Sequence, residues 1–198
     1  MRATDREKWN QRYRDGAYAD RRQPSIFLQQ WIDRVPRGRA LDVACGAGRN
    51  ALYLAECGFE VDAVDISAEA LARARDTALQ SGLQLNWLEH DLEQPLSLQN
   101  PYQLILNIRY VNLPLLRQLA AMLAPGGYLV CEQHLASEAA VIGPKNPDYR
   151  VKPGDLLAAA GQLHIHYLDE SVVQDPDGRA AALARLVAQR VEEGLSGS

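Results

Sequence analysis

Short apolar runs alternate along the chain with segments whose apolar residues recur at helical spacing. The apolar runs predict five strands, at 39–44, 59–64, 85–88, 102–108 and 128–133. The helical spacing predicts two short helices within the first 35 residues and longer helices at 50–57, 68–81 and 113–123. Regular alternation of strands and helices is typical of a parallel sheet covered by helices.

Glycine and serine residues mark where several of these elements begin and end. Gly58 and Gly82 follow predicted helices, at the position of a left-handed cap. Ser67 can cap the helix that begins at Ala68. The segment Ala124-Pro-Gly-Gly127 predicts a turn before the fifth strand.

The last third of the chain has a different pattern. After a polar loop at 137–152, a helix is predicted at 154–160, followed by extended runs at 163–173 and 182–190 on either side of Asp175-Pro-Asp-Gly178. Turn residues between two extended runs favour a hairpin. The alanine-rich segment 180–191 could instead be helical by intrinsic propensity. We prefer the hairpin, because an antiparallel terminal strand completes the sheet.

Length and charge narrow the function classes. The 198 residues suit one domain, and the net charge of -4 has the wrong sign for a protein that neutralises nucleic-acid phosphates. Every apolar run is far shorter than the roughly 20 residues of a membrane span. The N-terminal residues are charged and lack the pattern of a secretory signal, so we expect a cytoplasmic protein.

The cysteines and histidines do not predict a metal site. Cys45, Cys57 and Cys131 are odd in number, lack metal-like spacing and lie in apolar sequence, as expected of reduced thiols. His164 and His166 share one face of a predicted strand, but two imidazoles without further ligands make a metal site improbable.

The clearest chemical signal is the segment Gly46-Ala-Gly48-Arg-Asn-Ala51 between the first strand and its helix. It matches the G-x-G-x-x-G/A fingerprint of dinucleotide sites, and Asp65 lies near the spacing expected for a ribose ligand. Taken alone, this pattern fits NAD or a plain strand-to-helix turn. Asp42 changes the interpretation, because a carboxylate just before the loop would repel a pyrophosphate but attract an ammonium group. S-adenosylmethionine carries such a group.

Two more acids follow successive strands. Asp65 can accept hydrogen bonds from both ribose hydroxyls, and Asp91 can accept one from the adenine amino group. Each also has a structural alternative, since Asp65 could cap the next helix and Asp91 could be a turn residue. Three acids at three consecutive strand ends favour a ligand site at the edge where open α/β sheets bind ligands.

These segments resemble a known family. LDVACGAGRN, VDAVDIS, HDLE and APGGYLV, which together cover about 39–133, are similar to the motifs of class I S-adenosylmethionine-dependent methyltransferases. EKWNQRY, NPDYRVKPGDLL and LARLVAQR extend the resemblance to the small bacterial methyltransferases of the tellurite-resistance and thiopurine type. One departure is Ala44, where the family usually has glycine; it narrows the approach to the methionine end of the cofactor.

The resemblance implies an α/β fold: a Rossmann-like, doubly wound sheet of seven strands, mostly parallel with an antiparallel C-terminal strand. It implies a single domain, 1–198, with a helical lid at 1–35 and the core at 36–198. The cofactor would be S-adenosyl-L-methionine and the product S-adenosyl-L-homocysteine. The implied cofactor-binding residues are Asp42, Ala44, Cys45, Gly46, Gly48, Asn50, Asp65, Ile66, Asp91, Leu92, Asn107, Trp9 and Tyr13. For Trp9 and Tyr13, aromatic packing on the core is an equal alternative to a lid.

The acceptor side is less determined. After the fourth strand the chain reads NIRYVNLPLL, without the Asn/Asp-Pro-Pro-aromatic motif of amino-group methyltransferases. The candidate acceptor-binding residues are Arg12, Arg109, Tyr110 and Asn112, and the catalytic candidates are Arg109, Tyr110 and His134. Arg109 could hold an anionic acceptor or form a salt bridge at the sheet edge. His134 could act as a base or be a structural histidine.

Our leading hypothesis is a methyltransferase acting on a small molecule, for which we expect a thiol or a chalcogen oxyanion. The alternatives are an NAD(P)-dependent oxidoreductase, a non-catalytic cofactor-binding protein, and a methyltransferase of protein or tRNA. We expect a monomer or homodimer with neither a nucleic-acid nor a membrane partner.

Overall fold

The computed structural model describes residues 3–98, 101–174 and 178–191. Its seven strands are β1 Arg39–Val43, β2 Glu60–Asp65, β3 Asn86–Glu89, β4 Tyr102–Ile108, β5 Leu123–His134, β6 His164–Gln174 and β7 Ala180–Gln189. Its six α-helices are α1 Ala3–Arg14, α2 Ile26–Trp31, α3 Arg49–Glu56, α4 Ala68–Gln80, α5 Leu113–Ala121 and α6 Asp155–Ala160. Short 3-10 turns lie at Ile32–Arg34 and Pro147–Tyr149. None of the described helices is long and apolar enough to cross a membrane.

The strands form one sheet in the order β3-β2-β1-β4-β5-β7-β6. β2 runs parallel to both β1 and β3, whereas β7 runs antiparallel to both β5 and β6. This arrangement confirms the predicted Rossmann-like α/β class with its antiparallel terminal strand. By its internal contacts the chain divides into two compact units, Met1–Leu106 and Asn107–Ser198, which are described separately below. A single domain with a lid at 1–35 stays a prediction.

In the first unit, β2 and α4 show why the sequence pattern predicts the elements well. Residues 61–65 of β2 are all buried, as a strand covered on both faces requires. The buried residues of α4 recur at helical spacing and include Leu71, Ala74 and Ala78. The α4 helix begins as predicted, because the Oγ of Ser67 accepts a hydrogen bond from the amide of Ala70 at 3.1 Å.

A buried polar network in this unit was not predicted from the sequence. The Oδ2 of Asp62 accepts hydrogen bonds from the hydroxyl of Tyr102 at 2.6 Å and from the guanidinium of Arg39 at 2.7 Å. Its Oδ1 accepts one from the side-chain amide of Asn86 at 2.8 Å. Since Asp62 and Tyr102 are both buried, these bonds satisfy a carboxylate that would otherwise be costly to bury.

In the second unit, the predicted hairpin is confirmed and the helical alternative for 180–191 is wrong. β7 pairs with β5 along Tyr128–His134 and with β6 along most of its length. Residues 181–184 and 186–188 of β7 are buried, so the alanines fill a crowded interior position, and this burial outweighs their helix propensity. Of the predicted turn Asp175–Gly178, residues 175–177 lie outside the described part of the chain.

The predicted turn at 124–127 is also wrong, because β5 already begins at Leu123. The amide of Gly126 donates to the carbonyl of Arg190 at 2.8 Å, and the amide of Arg190 donates to the carbonyl of Gly127 at 2.9 Å. The Pro-Gly-Gly segment is therefore hydrogen-bonded as strand to the residues at the end of β7. The sequence signal for a turn was local, whereas this pairing joins residues more than sixty positions apart.

Candidate functional site

The loop between β1 and α3 is built from left-handed backbone positions. Ala44 and Gly46 both have φ of +56°, and Gly48, which caps α3, has φ of +80°. Glycine adopts this conformation without steric cost, whereas alanine does so at roughly 1–2 kcal/mol. Glycine, which the methyltransferases that this sequence resembles usually have at position 44, would adopt this φ without strain. This chain has the strained conformation at Ala44.

Gly46 and Gly48 each lie so close to a different neighbouring side chain that a Cβ would clash with it. A Cβ on Gly48 would come within 2.8 Å of the Trp87 ring and 3.0 Å of the Cβ of Ala74, so glycine is needed there for packing of the loop against α4 and β3. A Cβ on Gly46 would come within 2.5 Å of the hydroxyl of Tyr13. Gly46 therefore presents bare backbone to α1, the helix predicted to form a lid.

Asp42 is a buried carboxylate, and one of its oxygens lacks a hydrogen-bond donor among the described residues. It is 1% exposed, and among the described residues its Oδ2 has no hydrogen-bond partner. Burial raises its pKa to about 7, while Arg49 and the amide of Ala51 oppose the rise and the negative charge of Asp65 adds to it. An unsatisfied buried group of this kind costs about 1–3 kcal/mol. A ligand that brought a positively charged hydrogen-bond donor to Oδ2 would recover that cost.

Asp65 is tied to the same loop. Its Oδ2 accepts the amide of Gly46 at 2.8 Å, and its Oδ1 accepts the amide of Ser67 at 2.8 Å. Burial raises the pKa of Asp65, and these main-chain amides together with that of Ile66 oppose the rise. The helix cap itself is Ser67, so Asp65 orients the loop and the start of α4. Each of its oxygens has a second lone pair, which leaves acceptor capacity for a ligand hydroxyl.

The remaining predicted cofactor residues of this unit differ in their surroundings. Asp91 lies just beyond β3, half-buried, and its Oδ1 accepts the amide of Glu93 at 3.0 Å, which is the predicted turn contact. Leu92, Ile66 and Cys45 are buried apolar residues, 5–8% exposed. Asn50 is buried and its Oδ1 accepts the amide of Ser25 at 2.8 Å, so its side chain anchors the segment before α2.

Tyr13 on α1 lies against the glycine loop. It is 6% exposed, and burial, followed by the charge of Asp65, raises the pKa of its phenol, which therefore remains a hydrogen-bond donor. Arg73 of α4 donates to the carbonyl of Tyr13 at 2.5 Å, and Asn10 accepts the hydroxyl of Ser67 at 2.8 Å. These bonds hold α1 on α4, and the hydroxyl of Tyr13 lies against Gly46; a lid role for Tyr13 stays a prediction.

The neighbouring aromatic residues engage Arg12. Its guanidinium lies 4.7 Å from the centre of the Trp9 ring and donates to the hydroxyl of Tyr18 at 3.1 Å. The rings of Trp9, Tyr13 and Tyr18 lie 5.9–6.5 Å apart. Arg12 is thus part of the packing of the N-terminal segment, through cation–π contacts.

In the second unit, Arg109 and His134 are brought together. The Nε of Arg109 donates to the Oε1 of Glu132 at 3.0 Å, and a terminal guanidinium nitrogen lies 3.0–3.1 Å from the two ring nitrogens of His134. The salt bridge offered as an alternative for Arg109 is therefore present. Its partner Glu132 is 5% exposed and was not among the predicted site residues. A glutamate inside the apolar run LVCEQH was the available signal.

The other candidates of this unit have structural partners. The Oδ1 of Asn112 accepts the amide of Leu115 at 2.9 Å and caps α5. Asn107 is buried, and its Oδ1 accepts the side-chain amide of Gln133 at 3.1 Å. Tyr110 is half-buried beyond the end of β4.

The histidine pair and the cysteines show no sign of a metal site. The rings of His164 and His166 are 4.8 Å apart, and the Nε2 of His166 pairs with the Oε1 of Gln189 at 2.8 Å. Within the described ranges, no three histidine, cysteine or acidic side chains gather as a metal site would require. Cys45, Cys57 and Cys131 are free thiols. Burial raises the pKa of Cys131 to about 12 and that of Cys45 also, so both are unreactive as nucleophiles.

Comparison with known proteins agrees with the glycine loop and the strand order. Residues 40–127 match the family model of the methyltransferase domain. The chain is 27% identical to YqeM of Bacillus subtilis over 126 residues, which cover 58% of this chain and 51% of that protein. It is 30% identical to glycine N-methyltransferase of Rattus norvegicus over 174 residues, 73% of this chain and 59% of that enzyme. The chain thus spans between half and three fifths of these relatives.

A solved structure extends the comparison to the fold. The crystal structure of TehB from Haemophilus influenzae superposes with a TM-score of 0.71 over 83% of this chain and 61% of that chain, at 19% identity. At that identity the likeness shows the fold. The family match, the strand order and the glycine loop agree, and residues 40–127 therefore belong to a methyltransferase domain.

Proposed function

We propose that this protein transfers a methyl group from S-adenosylmethionine to a small-molecule acceptor, a thiol or a chalcogen oxyanion. The observation that carries the proposal is the buried carboxylate of Asp42, whose Oδ2 lacks a partner among the described residues. The ammonium group of the cofactor's methionine end is both a donor and a positive charge, and it meets both requirements of this oxygen.

The roles of the neighbouring residues follow from their positions. Gly46 exposes backbone beside Asp65, so a ligand can approach the loop closely once the hydroxyl of Tyr13 gives way. Asp65 is already oriented by two main-chain amides, and it would accept the ribose hydroxyls through its remaining lone pairs. Asp91 and Leu92 would then face the adenine, one as acceptor and the other as an apolar surface.

Methyl transfer requires little of the protein beyond aligning the acceptor with the methyl group. S-adenosylmethionine supplies a methyl group on a positively charged sulfur. A lone pair of the acceptor forms the bond to the methyl carbon while the carbon–sulfur bond breaks and its electrons return to sulfur. A thiolate or an oxyanion loses one unit of negative charge in this step, as the sulfonium loses its positive charge, and needs no base. Positioning the acceptor in line supplies about 7–11 kcal/mol of barrier reduction in favourable cases.

The choice of a small acceptor rests on composition and motif. The net charge is -4, and the segment after β4 lacks the motif of amino-group methyltransferases. Arg109, just after β4, and His134, the last residue of β5, provide a cationic group and a polar group. The same composition supports a cytoplasmic protein without a nucleic-acid partner, and we extend the proposal to a monomer or homodimer.

Calorimetric titration with S-adenosylmethionine, S-adenosylhomocysteine and NAD tests the cofactor. We expect saturable binding of the first two and none of NAD. Asp42→Asn should weaken binding of S-adenosylmethionine by roughly tenfold to 150-fold, the equivalent of one hydrogen bond to a charged group. The matched control is Asp76→Asn, since Asp76 is an exposed acid on α4 and should not affect binding.

Two outcomes would redirect the proposal. Binding of NAD alone would mean that the loop holds a pyrophosphate, as in an oxidoreductase. Binding of S-adenosylmethionine without turnover of any thiol or of selenite would favour a non-catalytic protein or an acceptor on protein or tRNA.

A further inference from the structure

Three rings and two guanidiniums of the first unit gather on α1 and the turn after it, in what we call the aromatic cluster: Trp9, Arg12, Tyr13, Tyr18 and Arg21. The ring centres lie 5.9–6.5 Å apart. The guanidinium of Arg12 lies 4.7 Å from the centre of the Trp9 ring and 5.6 Å from that of Tyr18. The guanidinium of Arg21 lies 5.5 Å from the centre of the Tyr18 ring. One tyrosine ring therefore has two positively charged groups in cation–π contact.

The arginines of this segment differ in their partners. Arg14 pairs with Glu69 at 3.0 Å, so its charge is matched by a carboxylate on α4. Arg12 and Arg21 are both exposed, and within the described ranges neither forms an ion pair. A guanidinium has five N–H donors, and the hydrogen bond from Arg12 to the hydroxyl of Tyr18 uses one terminal nitrogen. An anion that reaches Arg12 therefore does not have to displace a carboxylate.

The backbone of Tyr18 adds an independent observation. Its φ of +60° lies in the left-handed region, which is uncommon for a residue with a bulky side chain. The turn before it is fixed, because the amide of Ala17 donates to the carbonyl of Arg12 at 2.9 Å and Arg73 donates to the carbonyl of Ala17 at 3.2 Å. The Nη2 of Arg12 donates to the hydroxyl of Tyr18 at 3.1 Å. Residues kept in such conformations by several contacts are concentrated at ligand clamps.

Tyr13 connects the aromatic cluster to the glycine loop of the same unit. Its ring centre lies 6.5 Å from that of Trp9 and 5.9 Å from that of Tyr18. Its hydroxyl lies where a Cβ on Gly46 would come within 2.5 Å. The rings beside Arg12 thus contact Tyr13, and Tyr13 contacts the loop at which we propose that the methionine end of the cofactor binds. A ligand at Arg12 would be separated from Gly46 by a single side chain.

We propose that Arg12 binds the oxyanion group of the methyl acceptor and that Tyr18 is the positioning residue that orients the Arg12 guanidinium. Arg21 adds a second positive charge at the same ring and raises the local concentration of anions. This inference rests on the proposed function. The oxyanion is either the acceptor itself, as in a chalcogen oxyanion, or a carboxylate attached to an acceptor thiol. The aromatic cluster then determines specificity for charged over uncharged acceptors.

The test measures binding and turnover separately. Selenite, 3-mercaptopropionate and the uncharged 2-mercaptoethanol are titrated into the protein loaded with S-adenosylhomocysteine, and methylation of each is followed with S-adenosylmethionine. Arg12→Gln should weaken binding of the anions and raise their KM by roughly three- to tenfold, with little change in kcat and a much smaller change for 2-mercaptoethanol. Arg21→Gln should act in the same direction but less strongly, because it acts through charge alone. Arg22→Gln is the matched control, since Arg22 is exposed and has no ring contact among the described residues.

Two variants of Tyr18 test its positioning role. Tyr18→Leu removes the ring and should raise the KM of the anions about as much as Arg12→Gln does. Tyr18→Phe keeps the ring and loses only the hydroxyl that accepts from Arg12, so it should restore part of the loss. The Tm of each variant is measured beside the kinetics. A residue that only maintained the fold would lower Tm and affect all three acceptors alike.

The outcomes separate this inference from the proposed function. If the wild type does not bind S-adenosylmethionine, the proposed function fails, and the inference fails with it. If the wild type binds the cofactor but no anion, or if Arg12→Gln matches Arg22→Gln, the inference alone is overturned. Equal losses for charged and uncharged acceptors, or a loss of cofactor affinity in place of anion affinity, also overturn it. Binding of selenite or of 3-mercaptopropionate that depends on Arg12 supports it and identifies which source supplies the oxyanion.

Discussion

Asp42 should make cofactor binding depend on pH in a definite direction. Burial raises the pKa of this carboxyl group to about 7, so the ligand-free protein holds it half protonated near neutral pH. Only the carboxylate attracts an ammonium group, and cofactor must therefore displace a proton. The apparent Kd scales as 1 + 10^(7 − pH), which is about 11 at pH 6.0 and about 1.3 at pH 7.5. We expect the Kd for S-adenosylmethionine to rise about eightfold from pH 7.5 to 6.0, or about 1.3 kcal/mol.

Calorimetry in two buffers of different ionisation enthalpy measures both the affinity and the protons released. At pH 6.5, about three quarters of the Asp42 carboxyl groups are protonated if the pKa is about 7. Binding should therefore release about three quarters of a proton at that pH and progressively less at higher pH. In Asp42→Asn the affinity should be lower and nearly constant over the same range, whereas Asp76→Asn should retain the dependence of the wild type.

Two results would refute this reasoning. A wild-type Kd that stays constant between pH 6.0 and 7.5, without proton release, would mean that no carboxyl group titrates on binding. A pH dependence that persists in Asp42→Asn would assign the effect to Asp65, whose pKa is also raised by burial. We expect the smaller contribution from Asp65, because main-chain amides on both of its oxygens favour the charged form in the absence of ligand.

Three further predictions concern stability. Tyr102→Phe removes a hydrogen bond to Asp62 and should lower the free energy of unfolding in urea by about 1.5–3 kcal/mol without changing cofactor affinity. An unchanged midpoint of the urea unfolding curve would contradict this prediction. Ala44→Gly should leave the free energy of unfolding unchanged or raise it by up to about 1 kcal/mol, because relief of the left-handed strain offsets the greater entropy of the unfolded chain. The control Ala47→Gly, at a position where φ is not positive, should lower the free energy of unfolding by about 0.5–1 kcal/mol. Asp42→Asn should raise the Tm of the ligand-free protein at pH 7.5, and this gain in Tm should shrink toward pH 5. The reason is that burial raises the carboxyl pKa, so the wild-type folded state loses stability as pH rises from 3.8 toward 7. Equal Tm differences at both pH values would contradict this prediction.

The sequence predicted most of the fold because its strongest signals are local. The boundaries of β4 were predicted to the residue, and those of β1, β2 and α4 to within one residue, since apolar runs and caps such as Ser67 directly mark them. The wrong turn at 124–127 and the ambiguity left at 180–191 both concern long-range pairing. The segment 124–127 has turn composition but pairs with residues after β7, and the alanines of β7 favour a helix until burial between two strands is considered.

The residues of the candidate site show the same difference between local signals and long-range contacts. Asp42, Gly46 and Asp65 were predicted because a strand, a glycine loop and an acid at fixed spacing lie close in sequence. The contact between Glu132 and Arg185 was missed because the two residues are 53 positions apart and meet only through the antiparallel register of β5 and β7. A single buried charge in an apolar strand is visible in the sequence, but its partner is not. Such clusters become predictable only once strand order is known.

The buried acids beside the glycine loop are the physical reason why we expect a cation at a loop with a dinucleotide fingerprint. The amides at the start of α3 and the bare backbone of Gly46 would by themselves favour an anion. Asp65 already accepts the amide of Gly46, and Asp42 is a second buried carboxylate, where burial and the charge of Asp65 raise the cost of charging it. A pyrophosphate would add negative charge to this group and compete for an amide that is already bonded. An ammonium group would instead stabilise the ionised form of Asp42 and satisfy its Oδ2. In the proposed site, the glycines would therefore provide access, and the acids would determine the sign of the ligand's charge.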